Sequence, residues 1–234
     1  MIAKAPSEPV DVPPIVTRLA RGEPVETVWR NELGGLTFRI GARFVKWMPV
    51  GDFSAEVVRL RWAAHFTPVP RVLGHGSDGT GSWLLTAGLP GRSAVDERWL
   101  RDPATAVRGI GAGLRALHDA LPVQGCPFDW SAGQRIKRVE SLTPRDIPPV
   151  DELVVCHGDA CAPNTLLAGD GTCTGHVDLG ALGLGDRWAD LAIATWSTQW
   201  NYGPGWEGPL LEAYGVARDE ERIGFYRRLW ELSG

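Results

Sequence analysis

Nowhere in these 234 residues do apolar side chains run on for the roughly 18 positions that a membrane-spanning helix needs. No run of lysine or arginine occurs, and the formal net charge is −4, so a nucleic-acid partner is not expected. The N-terminal stretch MIAKAPSEPVDVPP places prolines where a signal peptide has its apolar core. A cytoplasmic location is the default that follows, and no membrane partner is expected. Cys126, Cys156, Cys161 and Cys173 include no CxxC pair, and in a reducing compartment they read as free thiols. The pattern GxxxxGK[ST] is missing, which removes P-loop nucleotide binding. There is no internal repeat.

Hydrophobic residues make up 44% and charged residues 22%, an ordinary balance for a globular protein with its own core. The length suits one large domain or two small lobes around a cleft. The mild acidic excess suits a cationic substrate, although many proteins share it.

Residues 1–24 carry five prolines and little periodicity, which predicts a loosely ordered arm. TVWRN, LTFRI and RFVKWM then read as short strands separated by Gly34, Gly35 and Gly41. Ser54 reads as the N-cap of a helix through His65, with Val57, Leu60 and Ala64 at helical spacing. VPRVLG and SWLLT are apolar runs split by HGSDGTG, and AGLPGRS reads as a linker. Beyond it, Val107, Ile110, Leu114, Leu117 and Leu121 mark one apolar helix face over 104–121. A second amphipathic stretch is expected over 131–142, and two more helices before Leu232. Strands first and helices afterwards indicate an α+β protein, with a nucleotide-binding lobe at 25–86, a linker at 87–92 and a helical lobe at 93–234.

The stretch from His157 to Asp178 concentrates the chemistry. HGDACAPN sets Asp159 and Asn164 five residues apart. TLLA and TGHV flank the turn GDGT, so they should pair as a hairpin that returns Asp178 to the side of Asn164. Two of these three oxygen-bearing side chains suit Mg²⁺, which takes oxygen ligands and keeps waters and substrate phosphates. The third is free to accept a proton from an attacking hydroxyl. Read singly, Asp159 is a turn former, Asn164 a loop cap and Asp178 a solvated strand end. The order, the D-x4-N spacing and the hairpin are jointly much more specific, and match the H-R-D-x-x-x-x-N and D-F-G pattern of protein kinases.

Lys46, between Val45 and Trp47, and Glu56 ten residues later match the ion pair that holds ATP phosphates in that pattern. By themselves they are an edge-strand charge and a solvated carboxylate. The NELGG turn could cover phosphates with its backbone N–H groups, but lacks GxGxxG. GHGSDG does match GxGxxG, yet a strand follows it and no helix, so a dinucleotide site is not expected. Cys156, His157, Cys161, Cys173 and His176 fit no usual zinc spacing. His118, on the 104–121 helix, reads as a satisfied core or boundary histidine.

WRNELGGLTFRI, FVKW, SAEVVRLRW, VPRVLG, WLLTAGLPGRS, HGDACAPN, VDLGALGLGDRWADLA and FYRRLWEL resemble, in order and separation, the aminoglycoside 3′-phosphotransferases. The resemblance runs from about Val25 to the C-terminus. It implies a two-lobed, protein-kinase-like fold, with ATP and Mg²⁺ as cofactors and an aminoglycoside hydroxyl as acceptor, giving antibiotic resistance. Asp159 matches the family's catalytic base, Asn164 and Asp178 its Mg²⁺ ligands, Lys46 its phosphate-binding lysine and Glu56 the partner of that lysine. Ala87 and Leu89 match the linker positions whose backbone pairs with adenine. Asp190 resembles a carboxylate that braces the catalytic loop with His157, and Glu231 a substrate-binding glutamate.

The departures gather on the acceptor side. ATWSTQWNYGPGWEGP is aromatic and glycine-rich where acidic residues are expected, and Ala162 and Ala181 replace polar residues of some members. Trp196, Trp200, Tyr202 and Trp206 are core or a platform for a sugar ring. Other small hydroxyl compounds (a macrolide, an amino sugar, choline) are alternative acceptors, and a non-catalytic nucleotide-binding module is a third reading. The choice of ATP over GTP and the oligomeric state are not encoded in any motif.

Overall fold

The computed structural model describes residues 10–31 and 34–233. Helix α1 (Pro14–Ala20) precedes the strands β1 (Glu26–Arg30), β2 (Leu36–Ile40) and β3 (Arg43–Met48). Next come helix α2 (Ser54–Ala63) and strands β4 (Arg71–Asp78) and β5 (Gly81–Ala87). The five strands form one antiparallel sheet in the order β1-β2-β3-β5-β4. Alternation along β2 turns Leu36, Phe38 and Ile40 to one face, where they pack with Val45, Leu85 and the buried Ile15, Val16 and Ala20 of α1. Lys46, one residue on from Val45, therefore points to the opposite face, toward α2. That placement sets Lys46 in front of α2.

Strand β6 (Arg92–Ser93) leads into α3 (Glu97–Leu100) and α4 (Pro103–Ala120), followed by a short α5 (Ala132–Arg135). Asp102 caps α4 by accepting from the Thr105 N–H, and Pro103 occupies its first turn, where a missing N–H is harmless. Strands β7 (Leu153–Cys156), β8 (Thr165–Leu167), β9 (Cys173–His176) and β10 (Gly183–Asp186) form two small sheets, β10-β7 and β6-β8-β9. The chain ends in α6 (Trp188–Tyr202), α7 (Glu207–Tyr214) and α8 (Glu220–Ser233). Residues 188–195 of α6 are all buried, as expected of a helix with apolar residues around its whole circumference. Helix α6 is thus the central post of the helical half.

Several expectations need correction. The arm is not loose over 14–20, because α1 closes the back of the sheet with an apolar face; residues 1–9 lie outside the described residues. Ser54 begins α2 but does not cap it, and Phe53 holds the cap position; Asp52 accepts from the Ser54 N–H instead, and the helix stops at Ala63. HGSDGTG is mostly strand, with β4 running through to Asp78. Gly74 and Gly76 lie against the Trp83 ring, so their small size serves packing. The helix expected over 131–142 is only Ala132–Arg135 with a 3₁₀ turn to Arg138, as Arg-Val-Glu-Ser-Leu-Thr-Pro lacks a continuous apolar face. Three helices, not two, close the chain. No helix among the described residues is long and apolar enough to cross a membrane.

Candidate active site

The strand partners of Lys46 are Thr37 on β2 and Leu84 on β5, so its stem is fixed from both sides. Its Nζ lies 2.7 Å from Glu56 Oε1 and 2.9 Å from Asp178 Oδ1. Burial alone would lower the Lys46 ammonium, but attraction to Asp178 and then to Glu56 more than reverses this and keeps it charged. Lys46 holds the Asp178 carboxyl below the usual carboxylate range. For Glu56, burial pushes the carboxyl up against the opposing pull of Lys46. Removing the ammonium strands that buried carboxylate. Lys46→Ala is accordingly expected to cost roughly 3 kcal/mol of stability, read by urea denaturation, and Glu56→Gln less.

Asp178 follows β9 with φ +66°, a left-handed conformation uncommon for a residue with a side chain. The predicted hairpin sets this up: Thr165 pairs with His176, and the Val177 N–H donates to the Asn164 carbonyl at 2.9 Å. Asn164 is thereby held beside the Asp178 backbone. Its amide nitrogen donates to the Asp159 carbonyl (2.9 Å) and to Asp159 Oδ2 (3.2 Å). With its N–H₂ group so engaged, the Asn164 side-chain oxygen is left as an acceptor. That oxygen and the Asp178 carboxylate make a hard-oxygen donor set of the kind magnesium takes. Asp159 Oδ1 is buried with no hydrogen-bond partner among the described residues. An orphaned carboxylate oxygen costs about 1–3 kcal/mol and persists where function needs it.

Asp190 on α6 lies beneath this loop, fully buried. It accepts from the N–H groups of His157 (2.6 Å) and Gly158 (2.9 Å) and from His118 Nε2 (2.9 Å). Since Asp190 only accepts, His118 Nε2 donates; His118 Nδ1 then accepts from the Tyr214 hydroxyl at 2.8 Å. His157 Nε2 donates to the Val177 carbonyl at 3.0 Å, tying the loop to the strand before Asp178. Gly158 has φ +84°, and a Cβ there would meet the Ala181 carbonyl oxygen at 2.3 Å. Only glycine lets the two loops approach this closely.

Five of the predicted residues are joined by direct contacts. Lys46, Glu56, Asp178, Asn164 and Asp159 are linked by the contacts above, with His157 and Asp190 directly below. Ala87 ends β5, paired with Arg43 and Arg71, and Leu89 follows in the connection to β6. Glu231 is exposed on α8, next to Trp230. Glu32 and Leu33 of the NELGG turn lie outside the described residues. Three supports carried no sequence motif: Ser197 Oγ, which accepts from the Ala162 N–H (2.9 Å); Trp130 Nε1, which donates to the Gly158 carbonyl (3.2 Å); and Tyr214. The signals for this network in the chain were the lone His118 on an apolar helix face and the family resemblance at Asp190.

The sequence over residues 16–153 and 132–226 matches the model of the phosphotransferase enzyme family. The chain belongs to that family. Among curated members, an aminoglycoside 3′-phosphotransferase from Streptomyces fradiae is 36% identical, over 77% of this chain and 80% of that protein. A solved aminoglycoside-3′-phosphotransferase of type VIII is 30% identical with TM-score 0.74, covering 93% of this chain and 97% of its own. The aminoglycoside phosphotransferase APH(3″)-Id from Streptomyces rimosus, solved with ADP and streptomycin, is 28% identical with TM-score 0.69, covering 87% and 94%. The fold of this phosphotransferase is accordingly the two-lobed, protein-kinase-like one, with an antiparallel sheet in the first lobe and mainly helices in the second.

Proposed function

We propose that this phosphotransferase moves the γ-phosphate of ATP to a hydroxyl of an aminoglycoside, at the 3′ position, and so confers resistance to the drug. One observation supports the reading above the others. Lys46 is already paired with both Glu56 and Asp178, while Asp159 keeps an unpartnered buried oxygen next to Asn164. Groups suited to hold phosphate and to accept a proton thus lie side by side, which supports the preorganisation that phosphoryl transfer depends on.

In this reading the Lys46 ammonium, steadied by Glu56, binds phosphate oxygens, and the backbone at Ala87 and Leu89 pairs with adenine. Asn164 and Asp178 would hold magnesium, which when bound neutralises charge on the phosphates. Asp159 Oδ1 accepts the proton of the attacking hydroxyl. His157 and Asp190 keep that carboxylate in place, and Glu231 attracts an ammonium group of the acceptor. The reaction takes place in the cytoplasm, where ATP is supplied.

A second acceptor is favoured by one feature. Trp196 and Trp200 of α6 and Trp230 of α8 form a half-buried cluster with ring centres 4.9, 5.9 and 6.4 Å apart, beside Glu231. Arg227 lies over Trp196 at 5.4 Å, but its charge is already answered by the buried Glu207 at 2.9 Å. Such a wall suits an acceptor with a sugar or apolar face and fewer cationic groups. ADP release across kanamycin-type and streptomycin-type drugs, amino sugars, macrolides and choline tests both readings. Turnover with a kanamycin-type drug is the expected result. Turnover with another alcohol alone moves the acceptor to the second reading, and absence of Mg·ATP binding by calorimetry sinks both.

A further inference from the structure

Arg59 is one helical turn beyond Glu56 on α2, and it reaches out of its own lobe. Its Nε donates at 2.7 Å to the carbonyl of Leu182, a residue 123 positions later that is wholly buried. Its guanidinium carbon sits 4.8 Å from the centre of the Phe128 ring. Trp62, on the same helix, meets that ring edge-on at 5.7 Å. The two anchor points belong to one unit of the helical lobe. Leu182 immediately precedes β10, and the Leu184 N–H donates to the Phe128 carbonyl at 2.9 Å. The Trp130 N–H in turn donates to the Leu184 carbonyl at 2.9 Å, while its indole holds Gly158 of the catalytic loop.

We propose that Arg59 is a positioning residue that docks α2 on the catalytic lobe and so holds Glu56 on Lys46 before nucleotide binds. The inference rests on the phosphotransfer reading of the same site. The burial of Val57 and Leu60 explains why α2 packs where it does. It does not explain why a guanidinium crosses the cleft to a main-chain carbonyl and a ring on a shared support. That arrangement fixes the distance between the carboxylate that steadies Lys46 and the loop that carries Asp159.

Without the latch, α2 is held by its apolar face alone and spends part of its time with Glu56 away from Lys46. Apparent nucleotide affinity falls in proportion to the fraction of molecules still docked. A charge-assisted hydrogen bond and a cation–π contact together correspond to a shift on the order of tenfold.

The test compares wild type with Arg59→Ala, Arg59→Lys and Phe128→Leu. It uses Mg·ATP calorimetry, steady-state kinetics and hydrogen exchange of amides 54–63. Arg59→Ala is expected to raise the Mg·ATP Kd about tenfold and to speed exchange over 54–63, with the acceptor KM within about twofold of wild type. Arg59→Lys regains only part, because a point charge lacks the planar fork and the stack. Phe128→Leu moves the same way by less, and these two milder variants serve if Arg59→Ala does not fold. Wild-type Kd and exchange in Arg59→Ala overturn the inference, as does an equal rise in both substrate constants together with a lowered Tm. If the wild type itself binds no Mg·ATP, the phosphotransfer reading falls, while the exchange comparison still decides whether Arg59 docks α2.

Discussion

Asp159→Asn is expected to lower kcat by about 10²–10⁴ while leaving Mg·ATP binding near its wild-type value. The reason lies in how the carboxylate is held. Oδ2 is occupied by the Asn164 amide at 3.2 Å, while Oδ1 is buried with no hydrogen-bond partner among the described residues, so Oδ1 is the atom left to accept a proton. An amide of the same shape cannot accept a proton, yet it disturbs neither Lys46 nor Asp178. The comparison needs two measurements, ADP release with the acceptor present and calorimetry of Mg·ATP without it. A variant that keeps more than about a tenth of wild-type turnover would show that the proton leaves by another route. A variant that loses nucleotide binding as well would assign Asp159 to the phosphate site.

Asp190→Asn is expected to cost roughly 2–5 kcal/mol of stability, a fall in Tm of about 5–15 °C for a chain of this size. The carboxylate satisfies two main-chain N–H groups and the His118 ring from a fully buried position. An amide brings its own N–H₂ toward donors and leaves at least one of them unpaired. Burial alone would raise the Asp190 carboxyl, but the hydrogen bonds from His118 and from the Gly158 N–H outweigh it and lower it. A carboxyl depressed in the folded state adds stability above its unfolded value of about 4 and loses that contribution as pH falls through its folded value. The gap between wild type and Asp190→Asn should therefore be constant near neutrality and narrow below about pH 4. Urea denaturation at pH 7, 5 and 3 measures it, and a gap that widens on acidification would contradict the assignment. Lost activity with unchanged stability would instead give Asp190 a role other than bracing the loop.

The first prediction starts from a residue that stands out in the chain. Asp159 and Asn164 lie within one short loop, and the GDGT turn between two β-prone runs brings Asp178 back beside them. Those relations span few residues and follow from backbone geometry, so they are readable without a fold. Lys46 and Glu56 are similar: strand alternation and the start of a helix put them on facing sides. The observed contacts, Lys46 with Glu56 and Val177 with Asn164, are the short-range relations that local patterning can express.

What the chain could not state locally was decided by packing across long separations. Asp190 looks like any acidic residue in a first helical turn until the catalytic loop, 32 and 33 positions earlier, folds over it. His118 meets it across 72 positions and Tyr214 across 96. Arg59 shows no pattern at all, because its partner is a main-chain carbonyl, and every residue has one. The helix at 14–20 follows the same logic: its apolar residues are too few to form a helix alone, and the sheet they cover makes them stable. The sequence by itself determined the reaction's candidate groups and the class of fold, through spacings of a few residues. Only the tertiary structure decided which buried partners hold those groups and how one lobe grips the other, since such contacts depend on which distant segments exclude water together.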